Sequence, residues 1–253
     1  SWDLDIQDIR LERMGLNWPN SRFSIATRFD PRGHLHIRSG ADFLRIEDIG
    51  AVIRMFPLPD PEFEQALASM RPHSDLHDLR FRYDADDQHT RWSARGTASS
   101  LFTKHWRAIP GVNNLSTRFW ANQDRGTLQL EGRDTQLRFP RLFRDPLTLQ
   151  RLEGLLQWRR QPDGGWLVDT RNLLASNRDL STRSRLRLAF PADPKQSLFM
   201  DLQTDFRDGD ARTTSRYRPV GIMSDKVVAW LDHSIESGRV VEGSCLVRGP
   251  LRD

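Results

Sequence analysis

Seven histidines, one cysteine and eight tryptophans are the residues of this chain best suited to chemistry. His34 and His36 form an H-x-H that a β-strand would project from one face, and His73 and His77 stand four residues apart. Either pair could seed a zinc site if a carboxylate or a third histidine joined it. Neither lies in a metal signature, so no metal is expected. Cys245 sits in the alternating run Ser244-Cys-Leu-Val-Arg and reads as a small core residue rather than a thiolate nucleophile. There is no Gly-x-Ser-x-Gly to present a serine, and no G-x-G-x-x-G or G-x-x-x-x-G-K to cradle a phosphate. A carboxylate pair for glycoside cleavage converges in space and leaves no linear signature. The acids here gather in turns such as Asp84, Asp86 and Asp87, where turn preference accounts for them. Tryptophans such as Trp158 keep step with leucines, which favours a core or an apolar groove over a sugar platform. The residues therefore point away from an enzyme and imply no cofactor.

What must position side chains in this molecule is β-structure. Apolar residues recur at every second position through nearly the whole chain, as they do in strands with one buried face. Trp2, Leu4 and Ile6 begin the pattern, and Phe23, Ile25, Thr27 and Phe29 continue it to a turn at Asp30-Pro-Arg-Gly33. Leu79, Phe81 and Tyr83 alternate with arginines ahead of Trp92. From Ile109 to Thr170 the alternation repeats through Leu128, Leu130, Leu156 and Trp158. Its cleanest form comes later: Leu186, Leu188 and Phe190 oppose Arg183, Arg185 and Arg187, and Leu198, Met200 and Leu202 oppose Asp201 and Gln203. A register slip of one residue would bury those arginines, so register is strongly specified. These ten apolar residues, from Leu128 to Leu202, are the candidate lining of an apolar surface.

Two helices interrupt the strands. One begins at Asp60-Pro61, with Phe63, Ala66, Leu67 and Met70 on one face. The other follows Ser224, with Val227, Trp230, Leu231 and Ile235 as its expected buried stripe and Gly238 as its stop. Phe139-Pro to Asp145-Pro is a third, shorter helical turn. Leu79 to Trp92 and Leu156 to Trp166 form a faint internal repeat. Hairpin succession with sparse helices means an antiparallel all-β protein. Such a sheet either packs against a partner sheet or curls into an open trough whose apolar face binds something apolar.

Length and charge narrow the function classes. The 253 residues suit one large β domain, with no low-complexity linker dividing it. A net charge of +4, with arginines interleaved among acids and apolar residues, argues against a nucleic-acid surface. No apolar run is long enough to cross a bilayer as a helix. The chain starts without Met or signal sequence and reads as an internal fragment.

Several segments, in order, resemble the YhdP family of AsmA-like bacterial envelope proteins. They are Pro110-Gly-Val-Asn-Asn-Leu-Ser, Gly126-Thr-Leu-Gln-Leu, Leu137-Arg-Phe-Pro-Arg-Leu-Phe and Leu152-Glu-Gly-Leu-Leu-Gln-Trp. Tyr217-Arg-Pro-Val-Gly-Ile-Met-Ser, Val228-Ala-Trp-Leu-Asp-His-Ser, the closing Gly249-Pro-Leu-Arg-Asp and Ile46-Glu-Asp extend the likeness over roughly residues 44–253. Arg218 departs from the family's Tyr-Leu-Pro. The resemblance implies a long, strongly curved antiparallel sheet forming an open hydrophobic groove, with two or three short helices. It further implies a Gram-negative periplasmic protein tethered to the inner membrane by an N-terminal helix. Residues 1–253 would be one continuous groove segment, flanked by neighbouring groove segments of the same chain and reaching both membranes through missing regions. Its ligands would be phospholipid acyl chains in transit to the outer membrane. A sealed envelope scaffold that binds a partner, and a carbohydrate-binding or carbohydrate-active β protein, are the competing readings.

Overall fold

The computed structural model describes residues 1–9, 12–13, 16–17, 19–47, 61–86, 89–107, 109–193, 195–234 and 236–251. The expected helix cap Asp60, and Asp48, Asp87, Ile235 and Asp253, lie outside the described residues, as does the side chain of Phe63.

Alternation becomes strand almost everywhere it was expected. Among the described residues fourteen strands form, in order: β1 (Trp2–Ile9), β2 (Glu12–Arg13), β3 (Leu16–Asn17), β4 (Ser21–Phe29), β5 (Leu35–Arg45), β6 (His73–Ala85) and β7 (Thr90–Thr103). Then come β8 (Gly111–Asn122), β9 (Arg125–Arg138), β10 (Leu147–Arg160), β11 (Trp166–Ser176), β12 (Ser181–Phe190), β13 (Phe199–Asp210) and β14 (Arg239–Pro250). Apart from the small β2–β3 ribbon, all twelve join one open antiparallel sheet in the order β1-β4-β5 and onward to β14. The longest strands have 14 residues and span about 46 Å, while twelve strands side by side extend about 53 Å.

Among the described residues two whole helices, α1 (Pro61–Met70) and α2 (Asp225–Ser234), lie in the β5–β6 and β13–β14 connections, and Ile46 and Glu47 are helical as well. Two 3-10 segments, Ala211–Tyr217 and Val220–Ile222, precede α2. In an antiparallel succession these connections leave from the same end of the sheet; the opposite end closes with tight hairpins such as the one at Asp30. There Asp30 Oδ1 accepts hydrogen bonds from the Arg32 and His34 amides at 2.8 and 3.0 Å.

Phe139 to Asp145 makes a single turn, as expected: the Phe139 carbonyl accepts from Leu142 and Phe143, and the two prolines prevent propagation into a helix. In α2 the expected stripe is also rotated. Val228 is the buried residue, Leu231 is half-buried, and Val227 and Trp230 are exposed, Trp230 at 65%.

A single sheet with no second layer buries little unless it curves. Yet Ala41 and Leu152 are 2% exposed, and Leu76, Ala98, Leu115 and Leu149 lie at 5–7%. Cross-strand pairing puts all of these on one face, and among the buried apolar strand residues only Phe43 and Leu167 point to the other. The sheet therefore closes over that face. The device is a staggered line of irregularities crossing the strands. Asp78 in β6, Ser100 in β7, Asn114 in β8, Asp134 in β9 and Asp208 in β13 adopt positive φ, from 50° to 60°. Short polar residues tolerate this conformation better than branched ones. A bulge bends its strand and increases twist. Ladder registers shift beside the first three of these residues, and again in β11 between Thr170 and Leu173. The Asn114 Nδ2 donates to the Arg133 carbonyl at 3.0 Å, and Thr135 Oγ1 donates to the Asn114 carbonyl at 2.7 Å, stitching two neighbouring bends together.

Candidate functional site

Pairing registers connect the apolar residues strand by strand into a continuous surface. On β9 and β10, Leu128 lies opposite Leu156, Leu130 opposite Gly154, and Gly126 opposite Trp158. Trp158 leads to Val168 on β11, then to Leu188 on β12 and Met200 on β13. Leu186 pairs with Leu202, which pairs with Val247 on the last strand, and Phe190 pairs with Trp166. Leu198 precedes β13 with the parity of Met200, its carbonyl held by the Leu251 amide at 2.7 Å. All ten residues singled out from the sequence thus share one face. Each is half-buried: neither sealed like Leu152 nor open like a surface leucine.

The face reaches further than the sequence suggested. Through Ala121 and Ala94 it continues to Phe81, Ser39, Ile25 and Leu4, so it crosses all twelve strands. Phe119, paired with Leu128, and Val168 were missed, although both show the right parity. Near the bends the parity itself switches. Leu115, Leu149 and Leu152 form one buried cluster, joined by Leu101, Val112, Leu130, Leu137, Leu173 and Ala175, despite mixed odd and even numbering. An extra residue at each bulge keeps the apolar positions on the same side.

The opposite face is charged. Asp169, Arg187, Asp201 and Arg248 face one another in succession across β11 to β14. Arg151 and Glu153 meet at 2.7 Å, and Arg118 and Glu131 at 3.0 Å. Such exposed pairs contribute little stability, and their effect is to keep this side in water. Two shallow depressions lie on this charged side, one beside Asp3, Arg38 and Arg80 and one beside Arg159, Asp169 and Arg187. Neither contains a catalytic constellation.

The histidines do not converge. His34 Nδ1 lies 2.8 Å from Asp30, and His36 Nδ1 lies 2.7 Å from Asp84, so each takes its own carboxylate. Desolvation pushes the Asp84 carboxyl up, but hydrogen bonds from His36 and Arg82 outweigh it and hold it below the usual carboxylate range. Asp84 belongs to β6 rather than to the expected turn. His73 and His77 also lie on β6, where four residues separate side chains by about 13 Å. His73 stands beside Phe102, and His77 meets Phe43 edge-on at 5.4 Å. Among the described residues no group of three or more potential ligands could hold a metal ion. Cys245, on β14, is exposed rather than in the core.

The helical connection before β14 is fastened to the same end of the sheet as the Phe139–Asp145 turn. Arg218, 8% exposed, donates to Asp232 and, at 3.2 Å, to Thr214 Oγ1. Arg144 donates to the other Asp232 oxygen at 2.9 Å, and that hydrogen bond leads the causes holding Asp232 below its ordinary value. Tyr217 donates to Asp179 at 2.8 Å and accepts from Asn177 at 2.6 Å. Burial pushes the Tyr217 phenol up to about 12. At Gly221 a Cβ would stand 1.8 Å from the Arg141 carbonyl oxygen, so only glycine permits this approach.

A family model described as YhdP protein matches residues 1–253. The chain belongs to the YhdP family. The match includes the first forty residues, beyond the part whose motifs carry the resemblance. No curated protein and no solved structure matches the chain. YhdP membership is consistent with an AsmA-like envelope protein, and the YhdP family is not an enzyme family. Among the described residues no helix is long and apolar enough to cross a membrane.

Proposed function

We propose that this YhdP-family chain is a segment of an intermembrane lipid conduit in the periplasm. Phospholipid acyl chains lie against the apolar face while their headgroups stay in water at the open side of the trough. The observation that carries the reading is the continuous face, apolar apart from small hydroxyl residues such as Ser39 and Thr170, that runs from β1 to β14 and is uncovered by a second layer among the described residues. Each square ångström of apolar surface removed from water contributes about 25 cal/mol, so a two-chain lipid would gain substantially by lying there. Leu128, Leu130, Leu156, Trp158, Leu186, Leu188, Phe190, Leu198, Met200 and Leu202 would form the wall. Because similar side chains succeed one another along it, no position holds a chain much better than the next, which suits movement. Neighbouring groove segments of the same protein, and an inner-membrane tether outside this chain, would complete the route.

The test is a charge on the wall. Leu188→Asp and Met200→Asp should abolish lipid transfer by the full-length protein while lowering its thermal unfolding midpoint by only a few degrees, on the order of 1 kcal/mol. Unfolding of both variants would instead mean a sealed core and a scaffold.

A further inference from the structure

Three aromatic residues of the apolar face lie directly across from glycines. Trp158 pairs with Gly126, Phe119 with Gly96, and Phe206 with Gly243. At Gly126 and Gly243 the ring occupies the space a side chain would need, and at Gly96 it crowds that space together with the His77 carbonyl oxygen at 3.1 Å. A Cβ on Gly126 would stand 2.1 Å from Trp158 Cζ2, one on Gly243 2.6 Å from the Phe206 ring, and one on Gly96 3.2 Å from Phe119 Cζ. A large ring can cover a glycine on the neighbouring strand, which restores the packing that the glycine lacks. Here the rings rest along the backbone instead of standing up from it. Had the partners been β-branched, as is usual in strands, the rings would be lifted away from the sheet.

We infer that these glycine–aromatic pairs set the clearance of the trough. Each folds a bulky side chain flat against the wall, so that extended acyl chains pass over it instead of meeting a plug. The inference rests on the conduit reading and assigns Gly126, Gly96 and Gly243 a positioning role within it, exerted through Trp158, Phe119 and Phe206.

The experiment uses the full-length protein and vesicles of phosphatidylethanolamine and phosphatidylglycerol carrying an acyl-labelled fluorescent phosphatidylethanolamine. A valine at position 126 occupies the space under Trp158 and turns the ring into the trough. Gly126→Val should lower lipid uptake about tenfold, which corresponds to about 1.4 kcal/mol of obstruction by the turned ring. The double variant Gly126→Val/Trp158→Ala should recover uptake to within about twofold of wild type, since only the ring obstructs the path. Gly96→Ala, whose added methyl meets Phe119 less severely, should give a smaller loss in the same direction and supplies the measurement if Gly126→Val does not fold. Wild-type uptake in a folded Gly126→Val, or in Gly96→Ala where that variant stands in, overturns the inference and leaves the conduit reading intact. So does a double variant as impaired as the single one. A wild-type protein that takes up no lipid overturns the conduit reading, and the clearance role with it.

Discussion

Truncating one leucine at the bend and one on the wall separates an open trough from a sealed core by stability alone. Leu152 is 2% exposed and packs with Leu115 and Leu149. Leu152→Ala removes three buried carbons' worth of transfer energy and leaves a cavity, a loss of about 3–4 kcal/mol. Leu188 is half-buried, with Val168 and Met200 as its cross-strand neighbours. Leu188→Ala forfeits about half the transfer energy and creates no enclosed void, because water already reaches the site, so about 1 kcal/mol is lost. Urea unfolding followed by tryptophan fluorescence measures both. With a slope near 3 kcal/mol/M, the midpoints should fall by about 1 M and about 0.3 M, with the slopes unchanged. Equal losses near 3 kcal/mol at both positions would refute the reasoning, since Leu188 would then have to be covered by a further layer.

Three more outcomes follow from particular residues. Asn114→Val forces a β-branched residue to φ near 60° and removes the bond to the Arg133 carbonyl; urea unfolding should show a loss of about 2–3 kcal/mol, against about 1 kcal/mol or less for Asn114→Gly. Thr170 is 2% exposed and its hydroxyl has no partner among the described residues; Thr170→Val should stabilise by about 1 kcal/mol, read as a raised unfolding midpoint. The Tyr217 phenol is raised to about 12 in the folded protein, whereas an unfolded tyrosine ionises near 10. The stability that this group contributes is thus fully present below about pH 10 and is lost as pH rises toward 12. Thermal unfolding in that window should flatten in Tyr217→Phe relative to wild type.

Much of this was legible in the sequence, for a physical reason. Period-two alternation reports one buried face directly, and the arginines opposite Leu186, Leu188 and Phe190 fixed which residues share it. Curvature was not legible, because Asp78, Asn114 and Asp134 look like ordinary turn residues until pairing registers place them inside long strands. The parity switch between Leu130 and Leu137 was the available signal of a bulge. Cross-strand partners such as Gly126 and Trp158 also depend on register, which hairpin turns set but alternation does not. In α2, Val227, Trp230 and Leu231 make an acceptable helical stripe, but a ten-residue helix presents its neighbours almost as well, and docking chose Val228. Cys245 looked like core because alternation in its own segment does not report how deeply the strand is covered.

Native mass spectrometry of the protein purified without added lipid tests the central claim most directly. The conduit account predicts phospholipid adducts that are lost from Leu188→Asp and Met200→Asp while both variants remain folded. Lipid-free wild-type protein that also fails to take up fluorescent phospholipid after delipidation would contradict it.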